Sequence, residues 1–258
     1  EVTPGGKVVW EWHTSDHYDE FAFDDRARDL IAARAGDCYH TNTAEALPGN
    51  ALEVQDERFR KGNILSCQRQ CNLVYIVDRR TGRLVWQWGN GRGGLVGPHH
   101  PTMLANGNIL IYDNGGSGGH PARSRFYTRL VEINPGTCEV AWEYRHEPHV
   151  LKEKALFFSH SWGSVQRLPN GNTFSLDCHK GRLFEVTPQG EIVWEYVSPF
   201  CWNRSTLVEQ GIYRAYRYGY DLVPQADPHF MATDGHLGVP PAQVPLPPGM
   251  GLPATDWP

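Results

Sequence analysis

Residues 73–86 read LVYIVDRRTGRLVW, and this stretch decides the fold. Five apolar residues run into Asp78, a Thr-Gly turn follows, and the chain returns as charged, apolar, apolar, Trp. Short apolar runs bounded by turn residues are strands, and a tight turn between two of them makes an antiparallel hairpin. The returning half recurs as GKVVW at 6–10, TCEVAW at 137–142 and GEIVW at 190–194, with the Trp residues 76, 56 and 52 positions apart. The outgoing half recurs as LVEIN at 130–134 and LFEVT at 183–187. Further upstream each unit has a Gly-Asn strand start: GNIL at 62–65, GNIL at 107–110 and GNTF at 171–174.

A period near fifty residues, built of short strands and turns, describes a four-stranded antiparallel meander per repeat. One such sheet cannot bury both faces alone. Stacking sheets around an axis solves this, so the sequence predicts an all-β chain, a β-propeller of four-stranded antiparallel blades. The recurrent Trp residues are then core residues packing blade on blade. Three repeats are complete (39–88, 97–144 and 159–196), and residues 1–13 resemble the closing strands of an earlier blade. Propellers commonly have six or more blades, so the expectation is a larger ring whose N-terminal part is missing from this chain. Residues 1–223 form the partial propeller, with a helical insertion near 19–36 where Phe23, Ala27, Leu30 and Ile31 fall at helical spacing. Residues 224–258 form a Pro-rich tail.

Composition narrows the class. The 258 residues are 40% hydrophobic, 12% aromatic and 21% charged, which excludes a disordered chain. No apolar run is long enough for a membrane-spanning helix. The net charge of -5 argues against nucleic acid, which requires a clustered basic surface. Residue 1 is Glu with no leader after it, as in a chain that has lost a signal segment or begins mid-protein. A periplasmic or extracellular location is the expectation. The six cysteines permit disulfides without fixing a pairing. No cofactor is expected: Cys178-His179 with Cys138 or Cys201 is the set zinc could use, and nothing calls for zinc or calcium.

Chemistry in a propeller gathers at the mouth of the central channel, where the innermost strands begin. His40, the His99-His100 pair and His160 all lie upstream of, or at, the first strand of successive blades, so their side chains converge on one axis. Neighbouring strand residues point to opposite faces, so His99 and His100 share a target only if a bulge intervenes. Arg123, Arg125 and Arg129 follow in the blade of His99, and a guanidinium pairs bidentately with sulfate or carboxylate oxygens. Asp113-Asn114-Gly115-Gly116 forms a polar strand end with a Gly-rich loop. His13, His17, His120, His146, His149, His179, His229 and His236 lack this register and read as surface or structural.

At these residues the chain resembles the arylsulfotransferase β-propeller family. The stretches that carry the resemblance are YHTNTAEALP, FRKGNILSCQRQCNLVYIVDRRTGRLVWQWG, HHPTMLANGNILIYDNGG, TRLVEINP, SVQRLPNGNTFSLDCHKGRLFEVTPQGEIVWEYVSPF and YRAYRY. The resemblance implies transfer of a sulfuryl group between phenols in the channel, independent of PAPS, through a histidine. Carried over by motif, His40 matches the H-x-N histidine, His99 that of the HHP element and Arg129 the arginine before the V/L-E strand. His160 lies ahead of the RLPNGNT strand. The resulting expectation is attack on sulfur by His160, charge stabilisation by Arg129 and His99, and protonation of the leaving phenolate by His40. Asn42, His100, Asn114, Arg125 and Tyr39 would contact the substrate, and Phe157, Phe158 and Trp162 with Tyr39 could hold an aryl ring. The partners would be a small aryl sulfate and a phenol, with the oligomeric state open. The same His, Arg and Tyr inventory serves a polysaccharide lyase acting on an anionic uronic-acid polymer, and a non-catalytic ligand-binding propeller stands as a third reading.

Overall fold

The structure is a computed structural model that describes residues 1–90, 93–146, 157–200 and 211–224, together with the backbone of 202–204 and 207–209. Three four-stranded antiparallel sheets follow one another along the chain, each a simple meander. The first contains β1 (Thr41–Ala46), β2 (Ile64–Gln68), β3 (Leu73–Val77) and β4 (Leu84–Gly89). The second contains β5 (Pro98–Met103), β6 (Ile109–Asp113), β7 (Arg129–Asn134) and β8 (Glu139–Arg145). The third contains β9 (Val165–Arg167), β10 (Thr173–Asp177), β11 (Arg182–Val186) and β12 (Ile192–Val197). A hairpin of β13 (Trp202–Arg204) and β14 (Leu207–Glu209) follows. These are propeller blades, as the repeats predict. Among the described residues no strand pairing closes the stack into a ring.

Alternation along each strand supplies the stacking. Ile109, Ile111, Val131 and Ile133 form one face of the second sheet and meet Leu65, Val74, Ile76, Trp86 and Trp88 of the first. Leu110, Tyr112, Leu130 and Tyr144 form its other face and meet Val165, Phe184 and Val186 of the third. Most of these side chains are below 2% exposed, and each buried aliphatic or aromatic group stabilises by about 1.5–3 kcal/mol. All three outer strands carry a bulge at the same register, opposite Ile76/Val77, Glu132/Ile133 and Glu185/Val186.

Two polar devices repeat at the junctions. The indole N–H of Trp86 donates to the Pro135 carbonyl in the next sheet's last turn, and that of Trp142 donates to the Pro188 carbonyl, each at 2.9 Å. Trp10 does the same to the Arg79 carbonyl of the first sheet at 3.1 Å. The second device explains the Asn-Gly-Asn turns. The amides of Asn106 and Asn108 hold one oxygen of buried Glu132, while Arg167 of the next sheet donates to the other at 2.7 Å. Asn170 and Asn172 hold Glu185 in the same way.

The first sheet's opposite face is covered by the N-terminal segment. Phe21, Phe23 and the helix α1 (Asp25–Ala32), through Ala27 and Ile31, pack on Leu73, Tyr75 and Val77. Asp24 caps the helix by accepting from the Ala27 N–H at 2.7 Å. Trp86 and Trp88 are buried, whereas Trp194 is 39% exposed because no further sheet covers β12 among the described residues. The five described cysteines are all free thiols, and Cys201, the Pro-rich tail and His149, His229 and His236 lie outside the described residues. No group of three or more metal-ligating side chains occurs among the described residues, and no helix there is long and apolar enough to cross a membrane.

If the Trp joint holds the sheets in register, Trp86→Phe, which keeps an aromatic ring but removes the indole donor to the Pro135 carbonyl, is expected to cost about 1–3 kcal/mol. A urea melt reads this as a lower midpoint with an unchanged slope, and an unchanged midpoint would show that the joint contributes nothing.

Candidate functional site at one end of the blades

In each antiparallel meander the start of the first strand and the end of the second lie at the same edge. Six segments therefore meet at one end of the stack: Tyr39–Asn42, Gln68–Cys71, Gly97–His99, Asp113–Gly116, Ser159–Trp162 and Cys178–His179. Five of the six non-glycine residues with positive φ lie at this end, among them His40 (φ 50°), Asn72 (φ 52°), His100 (φ 45°) and Trp162 (φ 64°). Left-handed backbone costs such residues roughly 1–2 kcal/mol each, and it aims side chains that an ordinary strand would direct elsewhere.

His99 is the best-defined group. It is 2% exposed, and its Nδ1 lies 2.7 Å from Asn114 Oδ1 and 3.1 Å from the Gly97 carbonyl. The Asn114 amide N–H groups are both committed, to the carbonyls of Ser159 (2.8 Å) and Trp162 (2.7 Å), so Oδ1 must face the imidazole. An amide oxygen and a carbonyl can only accept, hence Nδ1 carries the proton and Nε2 keeps a bare lone pair. Nε2 has no protein partner among the described residues and is not one of the sealed-off polar atoms. Burial pushes the His99 pKa down to about 4, with the positive charges of Arg69 and His40 adding to it, while the bonds to Asn114 and Gly97 work the other way. The ring is neutral at neutral pH.

Arg69, which the sequence did not single out, runs alongside Gly97. Its Nε is buried without a hydrogen-bond partner, and burial together with the neighbouring Arg34 lowers its pKa. Arg69 lies close enough for its charge to act on His99 and pairs with no carboxylate among the described residues, which makes this a candidate place for an anion. His40 is exposed at the rim, its Nδ1 2.6 Å from Asp37 Oδ2 and its backbone N–H donating to Asp37 Oδ1 at 2.7 Å. Burial pushes Asp37 up, but these two bonds outweigh it and hold its carboxyl below its ordinary value. Opposite, exposed His160 stacks on His179 with centroids 4.0 Å apart, and Trp162 stacks on His179's ring at 5.0 Å. Tyr39 is half-buried against the first sheet's covered face, and burial pushes its phenol up to about 12.

The remaining sequence candidates serve the scaffold. Arg129 donates to Asp113 Oδ2 (2.7 Å), Glu143 Oε2 (2.8 Å) and the Gly93 carbonyl (2.8 Å). Arg125 pairs with the same Asp113 oxygen at 2.9 Å and donates to the carbonyls of Tyr127, Gly94 and Asp113. Fully buried Asp113 also accepts from the Val96 N–H, so both guanidinium groups hold the mouth loops in place. Asn42 donates to the Pro98 carbonyl and accepts from Thr43. A bulge does separate His99 from His100, yet His100 turns inward. Its Nδ1 accepts from the Val165 N–H at 3.1 Å, and its Nε2 lies 3.1 Å from the Tyr216 hydroxyl and 3.4 Å from Glu45. It ties the second sheet to the third and to the strap 211–217, which runs along β9 through Ser164 and Gln166. Chemical identity and spacing reveal none of these partnerships. The single cue for Arg69 was its place just after β2, equivalent to Asn114 after β6.

The sign of the His99 shift gives a stability test. Between pH 6.5 and about 4 the unfolded chain binds a proton at this position and the native chain does not, so stability falls as pH falls through that window. The contribution is up to about 3 kcal/mol. In His99→Gln, chemical denaturation at pH 7 and pH 4.5 is expected to show a smaller pH difference than the parent, and an equal difference would contradict the neutral buried ring.

The sequence profile described as Arylsulfotransferase (ASST) matches residues 1–199. No curated protein matches the chain. Among solved structures, a protein of unknown function from Bacteroides caccae is similar at 17% identity and TM-score 0.34, covering 52% of this chain and 41% of that one. A streptogramin B lyase is similar at 14% identity and TM-score 0.39, covering 64% and 43%. Virginiamycin B lyase from Staphylococcus aureus is similar at 13% identity and TM-score 0.37, also covering 64% and 43%. The chain thus spans about two fifths of the length of each. Since the matched residues contain all three sheets and the six segments at their shared end, the chain belongs to the arylsulfotransferase family.

Proposed function

We propose that this protein moves a sulfuryl group from an aryl sulfate to a phenol, with His99 as the nucleophile. The observation that supports the reading is a His99 ring whose proton is fixed on Nδ1 and which lies in the field of Arg69, a guanidinium that no carboxylate neutralises among the described residues. His99 Nε2 attacks sulfur, the bond from sulfur to the aryl oxygen breaks, and the sulfuryl group stays on Nε2. Asn114 Oδ1 accepts from Nδ1–H throughout and offsets the positive charge that the ring acquires. Arg69 pairs with the sulfuryl oxygens, where charge builds in the transition state. The protonated His40 ring, oriented through Nδ1 by Asp37, donates from Nε2 to the departing phenolate. A second phenol then gives its proton to the now neutral His40 and attacks sulfur, which restores the imidazole lone pair of His99.

The geometry favours His99 over His160 for the attack, because His160 is exposed with its ring face laid against His179. The stack of His160, His179 and Trp162 instead offers a flat wall for the aryl ring of donor or acceptor. Arg129, committed to Asp113 and Glu143, supports the mouth from behind.

A chromogenic aryl sulfate, assayed with and without a phenol acceptor, tests the reading. His99→Ala is expected to abolish release of the coloured phenol while the circular dichroism stays unchanged. Asn114→Ala is expected to lose roughly 10- to 100-fold through the freed tautomer, and Arg69→Ala roughly 100- to 1,000-fold. Intact mass spectrometry of enzyme and donor without acceptor should show one sulfuryl adduct that His99→Ala lacks. Persistent turnover in His99→Ala would overturn the assignment. If the folded parent shows no turnover but yields unsaturated-uronate absorbance from an anionic polysaccharide, the lyase reading replaces it.

A further inference from the structure

The outward face of the third sheet is a blade junction with one side already assembled. Glu185 is the counterpart of Glu132, and the strap residue Arg217 pairs with it as Arg167 of β9 pairs with Glu132. Arg217 also lies over the Trp194 ring at 5.4 Å, as Arg167 lies over Trp142 at 5.0 Å. The strap thus stands where the innermost strand of a following blade would stand. Among the described residues the last turn of that blade has no counterpart. At the two earlier junctions the turn supplies the carbonyl for the Trp indole, and the Trp194 N–H has no such partner among the described residues. Trp194, Tyr196 and Val197 are 39%, 42% and 49% exposed on β12.

The matching half is at the other end of the molecule. Residues 2–10 read VTPGGKVVW and residues 186–194 read VTPQGEIVW, in register along their whole length. Val2 bridges to Val8 as Val186 pairs with Ile192, so residues 2–10 form the last hairpin of a blade. Pro4 is the counterpart of Pro188, the acceptor for Trp142, and its own carbonyl accepts nothing among the described residues. Val186 faces the preceding sheet. Its counterpart Val2 and the paired Val8 are 59% and 54% exposed, with no sheet packed on them among the described residues. The hairpin's other side is occupied, because Trp10 packs on the first sheet.

We propose that the third sheet of one copy docks on the Val2–Trp10 hairpin of a second copy, head to tail. The Trp194 N–H of the first donates to the Pro4 carbonyl of the second, and Tyr196 packs on Val2 and Val8. The contact continues a joint that the chain already builds twice internally, with the same donor, the same turn and the same alternation. A heterologous contact of this kind closes when the rotation per copy allows and otherwise extends.

Light scattering of the full 258-residue chain over a wide concentration range tests this. Association is expected in the parent and lost in Val8→Glu and in Tyr196→Glu, both with unchanged circular dichroism. An equal mixture of the two variants is expected to regain association, because each pair then has one intact head and one intact tail. The chain carrying both substitutions is not. Trp194→Phe, which keeps the ring, is expected to weaken association about fivefold per joint. A parent that stays monomeric throughout, as it would if Pro4 and Trp194 met within one chain, overturns the proposal. So does association that survives Val8→Glu, or a mixture that behaves like either variant alone.

Discussion

A four-stranded sheet with alternating apolar residues has two greasy faces and no way to cover both itself. Stacking one sheet on the next is the constraint from which the remaining structure follows. The second sheet shows it most fully: Ile109, Ile111, Val131 and Ile133 are buried one way, Leu110, Tyr112 and Leu130 the other, all at or near 0% exposure. On the first sheet's other face, Phe21, Phe23 and α1 supply the cover among the described residues, with a different secondary structure. The protein solves one burial problem twice, once with a strand hairpin and helix and once with whole sheets.

Stacking also makes the site. Because each sheet is a meander, the edge at which its first strand begins is the edge at which its second strand ends. Superposed sheets therefore deliver the residues flanking those points to one place. His99 and Asn114 belong to the same sheet, but Asn114 reaches the Ser159–Trp162 loop of the next, so the tautomer of the buried imidazole depends on the junction between sheets two and three. The Tyr112 hydroxyl, donating to the Leu176 carbonyl at 2.7 Å, and Gly163, whose Cβ would fall 2.4 Å from the Tyr112 ring, fix that junction directly beneath. The geometry of the proposed site and the blade packing are in this sense a single arrangement, and left-handed His40, His100 and Trp162 are tolerated where the packing below over-determines them.

The fold was legible in the sequence because its cause is periodic. Strand alternation, Gly turns and the Trp after each return leave marks at fixed spacing, and LVYIVDRRTGRLVW alone exposes the hairpin. The site was legible only in part. That His40, His99 and Asn114 lie at one end of the sheets follows from register. Which arginine is free does not, since Arg129 and Arg69 both lie near strand ends and differ only in what faces them. Asp113 and Glu143 neutralise Arg129, and no carboxylate meets Arg69 among the described residues. His100 illustrates the same limit. Its neighbours Val165, Tyr216 and Glu45 come from three distant segments, and no local pattern announces that both its nitrogens are engaged.

The junctions are alike in their Trp joint and unlike in their centre, and the difference bears on specificity. Between the first and second sheets the position of the buried acid is filled by Ile76, and the inner-strand position facing it by Met103, both in one apolar core. Between the second and third, Glu132 meets Arg167, and beyond the third, Glu185 meets Arg217. Burial pushes the Glu185 pKa up, yet the amides of Asn172 and Asn170 and the charge of Arg217 more than offset it and hold the carboxyl ionised. A buried ion pair of this kind adds little net stability over an apolar contact, but a mismatched one costs several kcal/mol. Were the third sheet to dock on the first, Arg167 would face Ile76 with no acceptor. Were the second to dock on itself, Met103 would leave Glu132 without its guanidinium. The apolar faces make the sheets stack, and the acid–guanidinium pairs make them stack in one order.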